Sequence, residues 1–174
     1  MTEADILRLS ALVGEKLKAR GATLTCAESC TGGWLAKSIT DIAGSSGWFD
    51  YGFVTYSNLA KQRLVNVNAE TLEQHGAVSE AVVNEMAAGA LQAADADFAI
   101  SVSGVAGPDG GTEEKPVGTV WFGFTDKQGG AFAQTMRFSG DRNAVRLQSV
   151  HFCAANVARH VSEKITLMLY AHTV

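Results

Sequence analysis

Apolar residues recur at helical spacing in two long segments, one near each end of the chain. The first covers residues 4–19, where Thr2 is positioned to cap a helix and Gly21 to end it. The second begins near Asp141 and carries an apolar stripe spaced by three or four residues: Val150, Ala154, Val157, Val161, Ile165 and Met168. The pattern therefore predicts one helix at the start and a long helix at the end.

Between these helices, short apolar runs typical of strands alternate with helical segments. Strands are predicted at residues 23–27, 53–56, 98–102, 119–125 and 132–138. Helical segments are predicted at 32–42, 60–64 and 69–74, together with a longer helix that Ser79 would cap. Lys127-Gln128-Gly129-Gly130 separates the last two strands and is typical of a hairpin connection.

This order of elements predicts the fold class. Early alternation of strand and helix, followed by a hairpin, favours a single three-layer α/β/α domain over residues 1–174. Its sheet should be mixed and mostly parallel, with about five to six strands. Ligands in such folds bind beyond the carboxyl ends of the parallel strands. The loops that leave strands at that edge are residues 28–33, 57–61 and 104–111.

Composition and charge argue against several classes of partner and against a membrane or secreted location. The chain has 174 residues and a net charge of −4, without the basic stripe that duplex nucleic acid requires, so no nucleic-acid partner is expected. No apolar run reaches the length of a membrane span, and the acidic N-terminus does not resemble a signal peptide. Three cysteines, an odd number, do not indicate a disulfide framework. We therefore expect a cytoplasmic protein.

Glycine is the compositional outlier, with 18 glycines against only 2 prolines. Gly32, Gly33, Gly104 and Gly107 lie in two of the loops at the predicted binding edge. Glycine at such places indicates either tight turns or backbone that comes close to a ligand. For these four positions we favour backbone cleared for a substrate, which places Ser29 between two glycine clusters that face one pocket.

The first loop offers two candidate nucleophiles, Ser29 and Cys30. A helix N-terminus stabilises the oxyanion that forms when a serine attacks a carbonyl, and it also lowers the pKa of a thiol. Alternatively, Ser29 or Thr31 only caps the helix, and Cys30 is a small buried apolar residue. The spacing of the cysteines fits no zinc site, so no metal is expected.

The base that such a nucleophile needs is not evident among the four histidines, at positions 75, 151, 160 and 172. Lys61, in the second loop, is an alternative because burial lowers the pKa of a lysine. It lies four residues after Ser57, so a local pair on one helix face is also possible, as is a solvated surface lysine. Arg142 opens the final helix and is a candidate anion ligand.

Taken in order, these motifs resemble one family, the C-terminal domain of the competence-damage-inducible protein CinA. The carriers are Ala27-Glu28-Ser29-Cys30-Thr31-Gly32-Gly33, Tyr56-Ser57-Asn58 with Lys61, His75-Gly76-Ala77-Val78-Ser79, Ser103-Gly104-Val105-Ala106-Gly107-Pro108, Lys115-Pro116-Val117-Gly118-Thr119-Val120 and Ser139-Gly140-Asp141-Arg142. The resemblance covers residues 4–160. Stand-alone members of this family are nicotinamide mononucleotide (NMN) amidohydrolases, which convert NMN and water to nicotinate mononucleotide and ammonia.

The resemblance implies roles for particular residues. Ser29 would be the nucleophile and Lys61 its base, with Tyr56 in support. Backbone N–H groups of Cys30, Thr31 and Gly32 would hold the oxyanion. The substrate-binding positions implied are Asn58, Ser103, Gly104, Gly107 and Arg142, of which Arg142 and the 104–107 loop would take the phosphate. Neither a cofactor nor a metal is implied.

Two other functions stay open beside this hydrolase. One is a cysteine hydrolase that uses Cys30, and the other is a nucleotide-binding module without catalysis. The sequence departs from the family at Ser103, where many relatives have Thr, and at Leu59, where many have an acidic or amide residue. A homodimer is expected from the apolar stripe of the final helix and from the hairpin strands around Trp121.

Overall fold

A computed structural model describes the backbone of residues 1–171 and the side chains of residues 1–162. The helices are α1 (Glu3–Arg20), α2 (Trp34–Thr40), α3 (Asn58–Val65), α4 (Ala69–His75), α5 (Glu80–Ala94) and α6 (Arg142–Ala171). The strands are β1 (Leu24–Glu28), β2 (Phe49–Val54), β3 (Phe98–Gly104), β4 (Thr119–Asp126) and β5 (Ala131–Arg137). The predictions for Ile165, Met168 and His172 concern side chains that lie outside the described residues.

Short polar side chains set the starts of several helices, as the sequence predicts. Thr2 and Asp5 form a reciprocal capping box at the start of α1, and Gly21 ends that helix in the left-handed conformation. Ser57 caps α3 by accepting from the N–H of Ala60. Ser79 caps α5 in the same way. Each cap satisfies an N–H group that the helix itself leaves without a partner.

Within the described residues the sheet has five strands in the order β2-β1-β3-β4-β5. β1 pairs in parallel with both β2 and β3, whereas β4 is antiparallel to β3 and to β5. Only β4 therefore runs against the common direction. The mixed sheet that the sequence predicts is confirmed. The carboxyl ends of β1, β2 and β3 lie at one edge, where the loops that follow them meet.

Helices cover both faces of this sheet, which gives the predicted three layers. α1, α2 and α6 pack on one face over an apolar core that includes Leu24, Ile100 and Phe122. α3, α4 and α5 pack on the other face over a smaller cluster around Val83 and Met86. Alternate residues of each strand enter one core or the other because successive side chains point to opposite faces.

The main error in the predicted elements concerns β2, which begins at Phe49 rather than at residue 53. β2 is an edge strand with mostly exposed side chains, so its first half lacks the apolar run that marks a strand in the sequence. Pairing with β1 brings this segment into the sheet all the same. Strand formation here depends on a neighbour that the local sequence does not reveal.

The described apolar residues of the α6 stripe, together with Trp121 of the hairpin, pack against the chain's own core, whereas β5 is largely exposed. Val150, Ala154, Val157 and Val161 of α6 are buried in the chain's own core. Trp121 packs against the cluster beneath α5. Exposed large apolar side chains are found instead at other positions, among them Tyr51, Val54, Tyr56, Leu59 and Leu64.

Among the residues the structure describes, no helix is long and apolar enough to cross a membrane.

Gly89 of α5 provides a test of how closely α3 approaches α5. A Cβ atom at this position would lie 1.7 Å from the carbonyl oxygen of Val65, at the end of α3. Alanine normally stabilises a helix interior by about 0.5–1 kcal/mol relative to glycine. Here we expect Gly89→Ala to lower the free energy of unfolding by about 1–3 kcal/mol, because backbone must move to admit the methyl group. Urea denaturation measures the change.

The control is Ala88→Gly at the neighbouring, exposed position of α5. It should cost only the difference in helix propensity, about 1 kcal/mol. If Gly89→Ala were as stable as the unmodified protein, the close approach of the two helices would not constrain the fold.

Candidate active site

Three strand-end loops and the start of α6 surround a cleft of about 280 Å³ at the carboxyl edge of the sheet. Its lining residues are Ser29, Cys30, Tyr56, Gly104, Ala106 and Arg142. Ser29 follows β1, Tyr56 follows β2 and Gly104 ends β3. The parallel arrangement of these three strands brings the loops together, as the sequence predicts.

Lys61 and Ser29 form the central contact of the cleft, although 32 positions separate them in the chain. The Nζ atom of Lys61 lies 2.9 Å from Ser29 Oγ. It also lies 2.8 Å from the carbonyl oxygen of Thr55 and 3.3 Å from that of Tyr56. Because carbonyl oxygens only accept, a neutral Lys61 donates its two hydrogens to them and turns its lone pair toward the hydroxyl of Ser29.

Burial gives Lys61 the electrostatics of a base. Its side chain is 1% exposed, and no carboxylate among the described residues lies within ion-pair distance of it. Desolvation disfavours the charged form and lowers the pKa of Lys61 from 10.5 to about 8. The surface-lysine alternative is therefore wrong for this residue.

Ser57 has a different task from the one that a local Ser57–Lys61 pair would give it. Its Oγ accepts a hydrogen bond from the N–H of Ala60, with 3.0 Å between the two atoms, and so caps α3. The cap fixes the first turn of the helix that carries Lys61. The amine of Lys61 is then directed back across the end of β1 to Ser29.

Glu28 organises the loop that carries Ser29. This fully buried carboxylate accepts hydrogen bonds from the N–H groups of Leu35 and Ala36, at 2.9 and 3.0 Å, and from the hydroxyl of Thr31 at 2.6 Å. It therefore satisfies the first turn of α2, whose N-cap residue is a glycine without a capping side chain. Neither Ser29 nor Thr31 is the helix cap, and Ser29 Oγ is left to Lys61.

The backbone N–H groups beside Ser29 differ in their availability. The N–H of Gly32 donates to the carbonyl of Ser29 at 3.1 Å, so it is already engaged, contrary to its predicted oxyanion role. Within the described chain, the N–H groups of Cys30 and Thr31 donate to no other residue. Of the three predicted donors, these two therefore remain for an oxyanion.

The side chain of Cys30 does not fit the role of nucleophile. It is 6% exposed and belongs to the apolar core beneath α6. Burial raises the pKa of the Cys30 thiol to about 12, so the reactive thiolate is scarce at neutral pH. The structure favours the alternative in which Cys30 is a small buried apolar residue.

Arg142 and Tyr56 meet at the open side of the cleft. The guanidinium of Arg142 donates to the phenol oxygen of Tyr56 at 3.2 Å and to the carbonyl oxygen of Gly107 at 2.7 Å. Tyr56 is 61% exposed. Its phenol is thus engaged by Arg142, while its backbone carbonyl is the part that reaches Lys61.

The remaining predicted binding residues occupy mixed positions. Gly104 lines the cleft, but its missing side chain is explained by β4, because a Cβ there would lie 2.7 Å from Val120 Cγ2. Gly107 contributes the carbonyl that holds Arg142. Asn58 is exposed and Ser103 is buried within β3, and neither lines the cleft, so their binding roles stay predictions. Close packing of β4, rather than substrate access, therefore accounts for glycine at 104.

Three residues that support the site have no role in the sequence-based prediction. Glu28 caps α2, Thr55 supplies a carbonyl to Lys61, and Arg146 donates to the carbonyl oxygens of Cys30 and Thr31. Arg146 lies four residues after Arg142, a spacing that places both arginines on one helix face. This spacing is the one sequence feature that could have pointed to Arg146.

Among the described residues, no three His, Cys, Asp or Glu side chains are grouped to hold a metal.

Comparison with known proteins gives one family. Residues 7–161 match the CinA C-terminal domain. The chain is 64% identical over 152 residues to a protein of Escherichia coli strain K12 named nicotinamide-nucleotide amidohydrolase PncC, an alignment that covers 87% of this chain and 92% of that protein. It is 62% identical over 159 residues to the protein of the same name from Enterobacter agglomerans, over 91% and 97% of the two chains.

Solved structures give the same result for the fold. A CinA superfamily protein from Klebsiella pneumoniae 700603 superposes with a TM-score of 0.87 at 46% identity, covering 91% of this chain and 98% of that one. The competence/damage-inducible protein CihA of Agrobacterium tumefaciens gives a TM-score of 0.86 at 41% identity, over 88% and 93% of the chains. The predicted resemblance is confirmed over most of the chain.

The state of the thiols provides a test of the assignment at Cys30. All three cysteines are free and buried, and burial raises the pKa of each thiol above its ordinary value. We expect an aromatic disulfide reagent to react with none of them quickly in the native protein and with all three in guanidinium chloride. Absorbance of the released thiolate measures the reaction. One thiol that reacts at once under native conditions, mapped to Cys30, would restore the cysteine as a candidate nucleophile.

Proposed function

Because the chain belongs to the CinA C-terminal domain family, we propose that it hydrolyses the carboxamide of NMN to nicotinate mononucleotide and ammonia. The names of relatives at 62% and 64% identity support the substrate and the reaction. The observation that carries the mechanism is the contact between Lys61 Nζ and Ser29 Oγ in the cleft. The proposal therefore includes Ser29 as nucleophile and Lys61 as base.

Acylation follows from the direction of the Lys61 lone pair. Lys61 takes the proton of Ser29 while Oγ bonds to the carboxamide carbon, and the carbonyl π electrons move to the oxygen. The N–H groups of Cys30 and Thr31 stabilise that oxyanion. When the oxyanion collapses, the C–N bond breaks and the protonated Lys61 returns its proton to the leaving nitrogen, which departs as ammonia.

Deacylation uses the same groups, with water in place of Ser29 as the attacking group and Ser29 as the leaving group. Lys61, neutral again, takes a proton from a water molecule that attacks the acyl carbon. The second oxyanion occupies the same pair of N–H groups. When it collapses, the bond to Ser29 Oγ breaks, protonated Lys61 returns its proton to Oγ, and the product leaves as a carboxylic acid that then gives its proton to solvent or ammonia. Since Arg142 holds the phenol of Tyr56, we assign all four proton transfers to Lys61 rather than to Tyr56.

The phosphate of the substrate needs a cation, and Arg142 is the one that lines the cleft. Its contacts with Gly107 and Tyr56 aim the guanidinium at the open side, where a bidentate contact with phosphate oxygens is available. The carboxamide and the phosphate lie at opposite ends of NMN. Ser29 and Arg142 would then hold the two ends.

Two further proposals concern the state of the protein rather than its chemistry. We retain a homodimer, now assigned to the exposed apolar side chains of β2 and α3 instead of α6 and the hairpin. We also retain a cytoplasmic location, because three free thiols suit a reducing compartment. Neither proposal enters the mechanism above.

Ammonia release from NMN tests the function directly. The purified protein should release ammonia and form nicotinate mononucleotide in equal amounts, as measured by a coupled ammonia assay and by chromatography. Ser29→Ala should lose at least about 10³-fold in kcat, because no other hydroxyl of the described residues contacts Lys61. Lys61→Arg should be almost inactive, since arginine keeps the charge but does not act as a base.

Cys30→Ala is the matched control in the same loop and should keep most of the activity. Activity lost in Cys30→Ala and kept in Ser29→Ala would make the protein a cysteine hydrolase. A folded protein that binds NMN without releasing ammonia would be a nucleotide-binding module, and the enzyme proposal would be wrong.

The pKa of Lys61 predicts how the rate depends on pH. The neutral amine is the active base, and its fraction increases as the pH rises through about 8. We therefore expect kcat/KM to increase about tenfold per pH unit below that value and to level off above it. Initial rates measured from about pH 6 to about pH 10 give the profile, with far-UV circular dichroism to verify folding at each pH. A rate that is flat across this range would exclude Lys61 as the base.

A further inference from the structure

Arg146 of α6 makes two contacts with the loop that carries the nucleophile. Its Nε atom lies 3.0 Å from the carbonyl oxygen of Cys30, and its terminal nitrogen lies 3.2 Å from that of Thr31. The guanidinium also lies over the indole ring of Trp34, with 5.6 Å between Cζ and the ring centroid. One half-buried cation is therefore fixed against two consecutive peptide groups next to Ser29.

The geometry of a peptide group gives these contacts a consequence for the oxyanion. The carbonyl of Cys30 and the N–H of Thr31 belong to one planar trans unit and point in opposite directions. When Arg146 holds the carbonyl, it also fixes the direction of the Thr31 N–H. The next peptide is fixed at both ends, because its carbonyl binds Arg146 and its N–H, on Gly32, donates to Ser29.

Only the first of these peptides keeps a donor that no described group of the chain occupies, and it belongs to Thr31, a fully buried residue. Within the described residues its N–H, on Thr31, has no acceptor, whereas the N–H of Gly32 is occupied. A positive charge at the carbonyl end polarises the peptide and makes the N–H at the other end a stronger donor. Such a fixed, polarised donor is what a developing oxyanion requires.

We propose that Arg146 is a positioning residue for the reaction. It orients and polarises the Cys30–Thr31 peptide so that the Thr31 N–H stabilises the oxyanion. This inference rests on the proposed amidohydrolase function. It assigns different tasks to the two arginines of α6. Arg142 faces the substrate cleft, whereas Arg146 acts through the peptide group from the other side of the loop.

Steady-state kinetics on NMN with Arg146→Gln and Arg146→Lys test the assignment. Loss of one oxyanion donor costs about 10²–10³ in kcat, so Arg146→Gln should lower kcat by about 10- to 100-fold if the donor is weakened but not removed. KM should change less than about threefold, because an oxyanion interaction is absent from the ground state. Arg146→Lys should fall between, since one ammonium does not reproduce the two-point contact of a guanidinium.

The matched control is Arg159→Gln, a variant of another arginine on α6, whose guanidinium donates to Asn156. It removes an arginine from the same helix and should leave kcat and KM unchanged. The pH profile provides a second readout. In the Arg146 variants its midpoint should remain that of the unmodified enzyme, because Lys61 keeps its surroundings. A general disturbance of the site would move the midpoint as well.

The outcomes separate the two proposals. If the unmodified protein releases no ammonia from NMN, the proposed function is wrong and this inference is wrong with it. If the unmodified protein is active and both variants keep kcat within about twofold, only the role of Arg146 is overturned. A variant that raises KM without lowering kcat would make Arg146 a substrate ligand instead. Should Arg146→Gln fail to fold, Arg146→Lys decides by the same criterion.

Discussion

The burial of one lysine amine is the constraint on which the rest of the site depends. Lys61 is almost fully enclosed, and its Nζ contacts two carbonyl oxygens and the hydroxyl of Ser29. When the amine is neutral, the two carbonyls accept its hydrogens and its lone pair faces the hydroxyl of Ser29. Desolvation favours this neutral form and lowers the pKa. The position of the amine and its lowered pKa thus have a single cause, which is that α3 places Lys61 among the residues that follow β1 and β2.

The loop that carries Ser29 is held from two sides by groups of opposite charge. Glu28 accepts from N–H groups at the start of α2, and Arg146 donates to carbonyl oxygens of the preceding residues. The Glu28 carboxylate therefore accepts hydrogen bonds from backbone N–H groups, and the Arg146 guanidinium donates hydrogen bonds to backbone carbonyl oxygens. The groups left over are the Ser29 hydroxyl and the N–H groups of Cys30 and Thr31. The hydroxyl in contact with Lys61 and these two N–H groups are the set that the proposed acyl transfer uses.

Close packing explains the absence of a side chain at two glycines, of which Gly104 is one that the sequence suggested was cleared for a substrate. At Gly104 the neighbouring strand β4 leaves no room for a side chain, and at Gly89 the end of α3 has the same effect. The contact at Gly104 borders the cleft, and the contact at Gly89 holds α5 against the end of α3, the helix that carries Lys61. The cleft is thus a consequence of tight packing in the layers around it.

The sequence by itself determined the elements whose signals are local. Helical spacing, the caps at Thr2 and Ser79, and the glycine turn of the hairpin depend on residues within a few positions of each other. The alternation of strands and helices also determined that the loops of Ser29, Lys61 and Gly104 share one edge of the sheet. Tertiary structure alone decided the 2.9 Å contact across 32 positions, the burial of Lys61, and the roles of Glu28 and Arg146. The reason is that a polar side chain acquires its pKa and its partners from whichever segments pack around it, and periodicity along the chain does not encode that choice.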